Sequence, residues 1–365
     1  MSKSTYIKDL FRAVIFSCFA RQLVAKHIRK TGLRHNLLTG GTLEEALKEA
    51  CQTHLPEHIQ EQPELMKSLH DDIVASYLFC KASPSEYFEF NFKQKSFWER
   101  SKYLTDITKF KVCFKKIGEK AFWEDLKDKW NFYSLLKPYF HRDACKVSSV
   151  EDWTAYNDFV TRHPLYFQKP INATLGQGCR IENTVGRDAR AIFDELITSG
   201  TGWILEEVVQ QDEQMARWND TSVNTIRVHS FRVNNKIYFL NSILRVGRKG
   251  AVVDNHGAGG LIAEIDNETG TVITPGYDKK CHLYHQHPDS GCSIEGEQIP
   301  RWNELIKLAE EAHLALPSYH RYVAWDMALS KTGWVLIEGN WGQFTTLQIT
   351  SRRGYKKDFL QFMHD

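Results

Sequence analysis

One stretch limits this chain more than any other: Tyr322-Val-Ala-Trp-Asp-Met-Ala-Leu-Ser-Lys-Thr-Gly-Trp-Val-Leu-Ile-Glu-Gly-Asn. Two apolar runs, Tyr322–Leu329 and Gly333–Glu338, flank a Ser-Lys-Thr-Gly turn, and that pattern predicts a β-hairpin. Strand side chains alternate between faces. Glu338 and Asn340, two residues apart, therefore share a face, and Asp326 can meet them from the first strand. Asp and Asn are poor strand residues among such apolar neighbours, so a merely solvated hairpin face is the weaker reading. Three converging oxygen donors make a site for a hard cation. Mg²⁺ prefers carboxylate and amide oxygens together with phosphate oxygens.

The rest of the chain supports an ordinary folded protein. Its 365 residues are 42% hydrophobic and 25% charged, which excludes a disordered, collagenous or coiled-coil chain. The length suits about two domains. A net charge of +2 implies no general polyanion partner, so nucleic acid is not expected. Residues 1–40 differ: Lys3, Lys8, Arg12, Arg21, Lys26, Arg29, Lys30 and Arg34 face Asp9 alone, a net of +7 that leaves the remainder at −5. Such a head suits an anionic membrane face or an acidic substrate, with a solvated helix face as the plain alternative. The eight cysteines are scattered and form no Cys-x-x-Cys pair, as expected of reduced thiols in the cytoplasm. Ala13–Ala20 is too short to span a bilayer and lacks a clean cleavage site after it.

Residues 1–115 look mainly helical. Ile7, Phe11, Val14, Ile15, Cys18 and Phe19 recur at helical spacing, and Thr42-Leu-Glu-Glu-Ala-Leu reads as a capped helix start. From about residue 120 the texture changes to short β-branched and aromatic runs between Gly- and Asn-bearing turns. These are Leu165–Gln168, Trp203–Val209, Thr225–Val233, Lys236–Val246 and Leu261–Ile265, followed by the hairpin. One late helix, Pro300–Leu316, interrupts them. Strands with interspersed helices and hairpins predict an α+β fold.

Several strings carry chemistry. Lys169 ends a strand before a loop containing Gly176 and Gly178, where backbone N–H groups can wrap a phosphate beside the lysine's charge. The loop is neither a P-loop nor a dinucleotide fingerprint. His141-Arg142-Asp143 spells part of a kinase catalytic loop, but Ser148 stands where that loop needs Asn, and no Asp-Phe-Gly follows. Glu206 and Glu207 end an apolar strand, an arrangement suited to an adenine amino group. Arg227 and Arg245 sit in apolar strands and need an anion, either a ligand or a core carboxylate. Cys281, His282, His285, His287 and Cys292 crowd one segment, yet no pair has a zinc-site spacing, and a substrate-facing loop is preferred.

In this order, the lysine and glycine loop, the Glu-Glu strand end, the paired arginine strands and the Asp…Glu-x-Asn set resemble the ATP-grasp enzymes. The strings Ser222-Val-Asn-Thr-Ile-Arg, Val253-Asp-Asn…Gly259-Gly260, His287-Pro and Trp325-Asp…Ile337-Glu-Gly-Asn look like its sugar-transfer-associated branch, found typically among bacterial surface-polysaccharide (capsule) genes. The resemblance covers roughly residues 120–350. It implies an ATP-grasp fold, two α+β subdomains clasping ATP, at 116–355, with a lid at 163–209 and a catalytic part at 210–355, after a helical region at 1–115. It further implies that Lys129, Lys169, Gly176 and Gly178 hold ATP phosphates, that Glu206, Glu207 and Val209 line adenine, and that Glu213 reaches the ribose. Asn224, Asp254 and Asn255 would meet substrate, Arg227 and Arg245 would stabilise reacting charge, and Asp326, Glu338 and Asn340 would bind Mg²⁺. The activity implied is an ADP-forming ligase that joins a small-molecule or sugar carboxylate to an amine. A phosphotransferase, or a nucleotide-binding scaffold docked through the basic N-terminus, is the alternative. The sequence leaves the oligomeric state open.

Overall fold

A computed structural model describes residues 42–109, 112–113, 115–117, 125–171, 178–251 and 253–363. The basic residues of 1–40, the helical spacing between Ile7 and Phe19, and Gly176 lie outside the described residues. The chain divides into two units. One comprises Met1–Cys113, Lys280–His282 and Phe344–Asp365; the other comprises Phe114–Lys279 and Leu283–Gln343. The expected single boundary near residue 115 therefore needs a correction, because the chain from Phe344 onward joins the helical unit.

That helical unit is built on capped starts. Helix α1 (Leu43–His54) opens as Thr42 predicts: Glu45 N donates to Thr42 Oγ1 at 3.2 Å, and Thr42 N returns a bond to the Glu45 carboxylate at 2.7 Å. Helix α2 (Pro63–Cys80) presents Asp72 and Ser76 to Arg100, which donates to both Asp72 oxygens at 2.9 Å and to Ser76 Oγ at 2.7 Å. The late helix Phe344–Ser351 is tied in by Gln348. Its amide donates to Leu104 O at 2.9 Å and accepts from Leu104 N at 2.8 Å, satisfying both groups inside the core. No described helix is long and apolar enough to cross a membrane.

The second unit contains two antiparallel sheets. Strands β1 (Ala144–Val147), β2 (Leu165–Pro170), β3 (Arg180–Asn183) and β4 (Trp203–Glu207) form a small sheet in the order β1-β4-β2-β3. It starts about twenty residues before the expected lid boundary, because β1 adds an edge that its short length hid. Helices α3 (Lys129–Phe140), α4 (Trp153–Arg162) and α5 (Ala189–Thr198) follow in chain order, and α4 and α5 bury Cys145, Val147, Tyr166 and Leu205 on one face of the sheet. Directly opposed residues share a face. The register Lys169↔Ile204 and Phe167↔Glu206 thus puts Lys169 and Glu206 on the face opposite α4 and α5.

The large sheet comprises β5 (Thr225–Val233), β6 (Lys236–Phe239), β7 (Ser242–Val246), β8 (Leu261–Ile265), β9 (Gly276–Tyr277), β10 (Leu283–Tyr284), β11 (Tyr322–Ser330) and β12 (Gly333–Asn340). Its order is β10-β9-β8-β7-β5-β11-β12, with β6 beside β5. Asn234 and Asn235, both at positive φ, make the two-residue turn between β5 and β6. The expected strand Lys236–Val246 is in fact two strands, interrupted at Leu240-Asn241. Helix α6 (Trp302–Ala315) begins two residues after Pro300, because Arg301 takes a left-handed φ of 52° and cannot lie in the helix. Ile226, Val228, Leu244, Ala263, Trp325 and Leu336 pack one face of this sheet against α3 and α6. On that side Gly339, between Glu338 and Asn340, meets Phe132: a Cβ there would stand 2.6 Å from the buried ring. Gly339→Ala is therefore expected to cost about 1–3 kcal/mol by overpacking, read as a fall in urea midpoint at unchanged slope.

Candidate functional site

The opposite face of the large sheet is polar by register. Arg245 lies opposite Thr225, Arg227 opposite Asp326, and Asp326 opposite Glu338, while Asn340 follows two residues along β12. A row of charge thus crosses β7, β5, β11 and β12. At its centre Asp326 is 2% exposed. Arg227 grips it in bidentate fashion, with Nε to Oδ1 and Nη2 to Oδ2 both at 2.7 Å. Arg245 Nη1 reaches the same Oδ2 at 2.6 Å, and its Nη2 lies 3.2 Å from Asp254 Oδ1. Thr225 supports Asp254 with both its backbone N–H and its hydroxyl. Burial would push the Asp326 carboxyl up, but the two guanidinium groups outweigh it and hold it down, at about 2. For Asp254 burial wins, and its carboxyl is raised despite Arg245. His229, two residues beyond Arg227, is buried beside that cation and kept neutral, its pKa lowered to about 3. The anion that two strand arginines require is thus a pair of core carboxylates.

Glu338 differs from Asp326. It is half-buried, accepts from Asn340 Nδ2 at 3.0 Å, and forms no ion pair among the described residues. Asn340 Nδ2 also approaches Asp326 Oδ2 at 3.5 Å. The three predicted metal residues are therefore brought together, though most of Asp326's capacity is committed to arginine. Among the described residues no group of three or more His, Cys, Asp or Glu is placed to hold a metal. The Cys/His segment does not converge. Cys281 Sγ bonds Glu89 O, His287 Nε2 pairs with Gly247 O at 2.9 Å, and Cys292 Sγ bonds Arg217 O.

A second charged cluster, itself buried, stands on the face of the small sheet opposite α4 and α5. Lys169 Nζ lies 2.7 Å from Glu206 Oε1, and Arg142 Nη2 lies 3.1 Å from Glu206 Oε2. Burial raises the Glu206 carboxyl, but Arg142 and Lys169 outweigh it, so the group is an anion held below the ordinary range. Lys129, the first residue of α3 after its Asp128 cap, donates to Ile171 O at 3.1 Å. Its pKa is lowered by burial first and then by the Lys169 charge, against the opposing pull of Glu338 and Glu206. Arg142 also donates to Leu336 O of β12, which ties this cluster to the strand carrying Glu338 and Asn340. Lys129, Lys169, Glu206 and Glu338 thus share one electrostatic neighbourhood.

The other predicted residues fall in varied places. Gly178 holds φ +73°, and a Cβ there would meet Pro170 at 3.0 Å, so glycine suits that loop. Glu207, half-buried, accepts from Asp143 N at 3.1 Å. Val209 lies half-buried in the connection that Lys331 N and Asp212 N tie to the hairpin, and Glu213 is exposed at the start of the turn Glu213–Ala216. Glu206 has both carboxylate oxygens engaged by cations, Oε1 by Lys169 and Oε2 by Arg142. Asn224 is fully buried. Both its amide donors go to the carbonyls of Met215 and Asn219, and its oxygen accepts from Gly247 N, leaving nothing to offer a substrate. Asp254 is likewise engaged by Arg245 and Thr225, whereas Asn255 is half-buried and caps Gly257 N at 3.1 Å. Arg142 was missed. In the sequence its string matches only part of a kinase motif, and β1, which begins two residues later, is too short to mark it as the partner of Glu206.

A family model described as sugar-transfer associated ATP-grasp matches residues 113–363. The chain belongs to this family. Its α+β sheets, with a helical region before them, are those of an ATP-grasp protein. Among solved structures it is similar to D-alanyl-alanine synthetase A from Vibrio cholerae, at 14% identity and a TM-score of 0.39, over 65% of this chain and 64% of that one. D-alanine–D-alanine ligase from Bacillus anthracis gives 13% and 0.37 over 65% and 66%. Carboxyaminoimidazole ribonucleotide synthase from Aspergillus clavatus, complexed with ATP, gives 11% and 0.36 over 59% and 44%. The ATP-grasp chain thus spans less than two thirds of the first relative's length, and likeness at this level carries no inference about its substrates. No curated protein matches it.

Proposed function

We propose that this ATP-grasp protein is an ATP-dependent carboxylate–amine ligase. Its acid would be a uronic acid or an amino acid destined for a surface glycan. The observation that carries the reading is the joining of two charged clusters along β12: Arg142, which with Lys169 holds Glu206, also donates to Leu336 O, two residues before the Glu338 that lies opposite Asp326. A polyphosphate is bound best by cations whose side chains are already fixed in place. Here Glu206 holds Lys169 and Arg142 in place, and Asp326 holds Arg227 and Arg245, so the donors are oriented before any ligand arrives.

Mg²⁺ fits the donor set. Glu338 carries a half-buried charge with no cation paired to it among the described residues, Asn340 adds an amide, and Asp326 contributes what its arginines leave. When bound, the ion offsets phosphate charge and polarises the β- and γ-phosphate oxygens. The rest falls to side chains. Lys129 and Lys169 neutralise the phosphates, and the carboxylate substrate attacks the γ-phosphorus, releasing ADP and leaving an acyl phosphate. An amine then attacks the acyl carbon and inorganic phosphate departs, with the N–H groups of Arg227 and Arg245 beside the charge that develops. No side-chain nucleophile is required.

Purified protein should release ADP in the presence of the correct uronic or amino acid, and hydroxylamine should trap a hydroxamate. ADP without hydroxamate would point to a phosphotransferase; no ADP with any acid and amine would sink the enzyme reading. Glu338→Gln should lower ADP release roughly a hundredfold or more, because a transition state gathering charge depends on the cation staying in register. Its melting temperature should not move, since Glu338 supports no ion pair among the described residues.

A further inference from the structure

We infer that the helical unit carries a docking surface for an anionic lipid headgroup layer, built where residues 93–102 meet residues 353–357. These segments are far apart in sequence yet tightly joined. Lys95 Nζ donates to Arg352 O at 2.9 Å, and Lys356 N donates to Lys102 O at 3.0 Å. Gly354 lies so close that a Cβ on it would stand 2.3 Å from the Lys102 backbone. The junction gathers Lys93, Lys95, Lys102, Arg353, Lys356 and Lys357, of which Lys93, Lys102, Arg353 and Lys357 are exposed. Two acids stand among them: Glu99, turned back onto the Ser96 cap, and Asp358, 3.3 Å from Arg353. Arg353 is the one member of the six in an ion pair among the described residues, so the fold leaves most of this charge unused.

Trp98 decides the kind of partner. It stands in the helical turn Phe97–Arg100, between Lys95 and Lys102 in sequence, with 42% of its surface exposed. A large indole among lysines is the combination that seats a protein at a headgroup layer: the ring enters the interfacial region while the ammonium groups meet phosphate. Single-stranded nucleic acid would call for a succession of exposed rings on which bases stack, and the junction offers Trp98 alone among exposed large aromatics of this unit's described residues. This inference is independent of the ligase reading.

The full-length chain should co-sediment with vesicles of equimolar phosphatidylcholine and phosphatidylglycerol at low salt, and release at high salt as the Debye length shrinks. Each basic residue near such a surface multiplies partitioning about fivefold, so changing Lys93, Lys102 and Lys357 together to Gln should lower it roughly a hundredfold. Trp98→Ala should weaken binding and remove a blue-shifted component of the bound protein's emission. Unchanged melting temperatures establish that both variants fold. Equal binding to pure phosphatidylcholine would overturn the inference. So would full binding by the triple variant, which would assign the membrane contact to residues 1–40 instead. Tighter binding to a single-stranded oligonucleotide than to vesicles at the same salt would also overturn it.

Discussion

Asp326→Ala is expected to abolish ADP release and to lower folding stability by about 3–5 kcal/mol, because it leaves Arg227 and Arg245 buried with no carboxylate between them. Desolvation sets the size of the effect. Two guanidinium groups 7% and 8% exposed are costly to keep out of water, and Asp254 pairs with only one of them. Asp326→Asn is expected to behave nearly as badly despite its matching shape, since its amide would turn a donor toward donors. Urea unfolding checks the first effect, and ADP release in the folded fraction checks the second. Wild-type stability in either variant would mean that the arginines find their counterions elsewhere. The same pair predicts an acid limb. With a folded pKa of about 2 against an ordinary 3.8, Asp326 contributes about 2 kcal/mol of stability. Because the folded value is the lower one, that contribution is fully present above about pH 4. It is lost as pH falls toward 2, and Asp326→Asn should remove this part of the slope.

The parts of this site that were legible in the sequence were those governed by strand periodicity. Glu338 and Asn340 could be placed on one face because side chains alternate every two residues, but the Lys331-Thr332 turn alone, with Ser330 opposite Gly333, would set Asp326 opposite Ile337 on the other face. A one-residue bulge at Ile337, which has no opposite partner, shifts the register between Asp326 and Met327 and brings Asp326 opposite Glu338. The need of Arg227 and Arg245 for an anion was equally plain from their apolar neighbours. What the anion was could not be read, because Arg227 and Asp326 are 99 residues apart and meet only through the β5–β11 pairing. Arg142 was opaque for the same reason. Its partner Glu206 lies on β4, whose neighbour β1 is four residues long and too short to stand out as a strand. Asn224 misled in the opposite direction. A polar residue inside a motif suggests ligand contact, but loops also need amides to satisfy their carbonyls, and local spacing does not separate the two uses.

Lys169→Ala and Glu206→Gln should separate binding from folding within a single ion triad. Removing Lys169 leaves Glu206 with Arg142 still 3.1 Å away, so the remaining buried carboxylate keeps a counterion and the melting temperature should shift little. Nucleotide affinity should nonetheless fall about 10- to 100-fold, the worth of one charged hydrogen bond to phosphate. Glu206→Gln reverses the outcome. Lys169 and Arg142 then lie buried with no anion between them, and Lys129, already pushed down by burial and by Lys169, loses one of the charges that supports its proton. This variant should lose about 3–5 kcal/mol of stability, with any surviving affinity rescued by lower pH. The sign follows from Lys129. Its free-form pKa lies below the ordinary lysine value, the phosphates favour its charged form, and affinity therefore declines as pH rises through that lowered pKa. Isothermal titration with a non-hydrolysable ATP analogue across pH, beside thermal melts of both variants, measures all of this. A Lys169→Ala protein that binds the analogue as tightly as the parent would take the lysine out of the nucleotide site and leave the Lys169–Glu206–Arg142 triad as a purely structural brace.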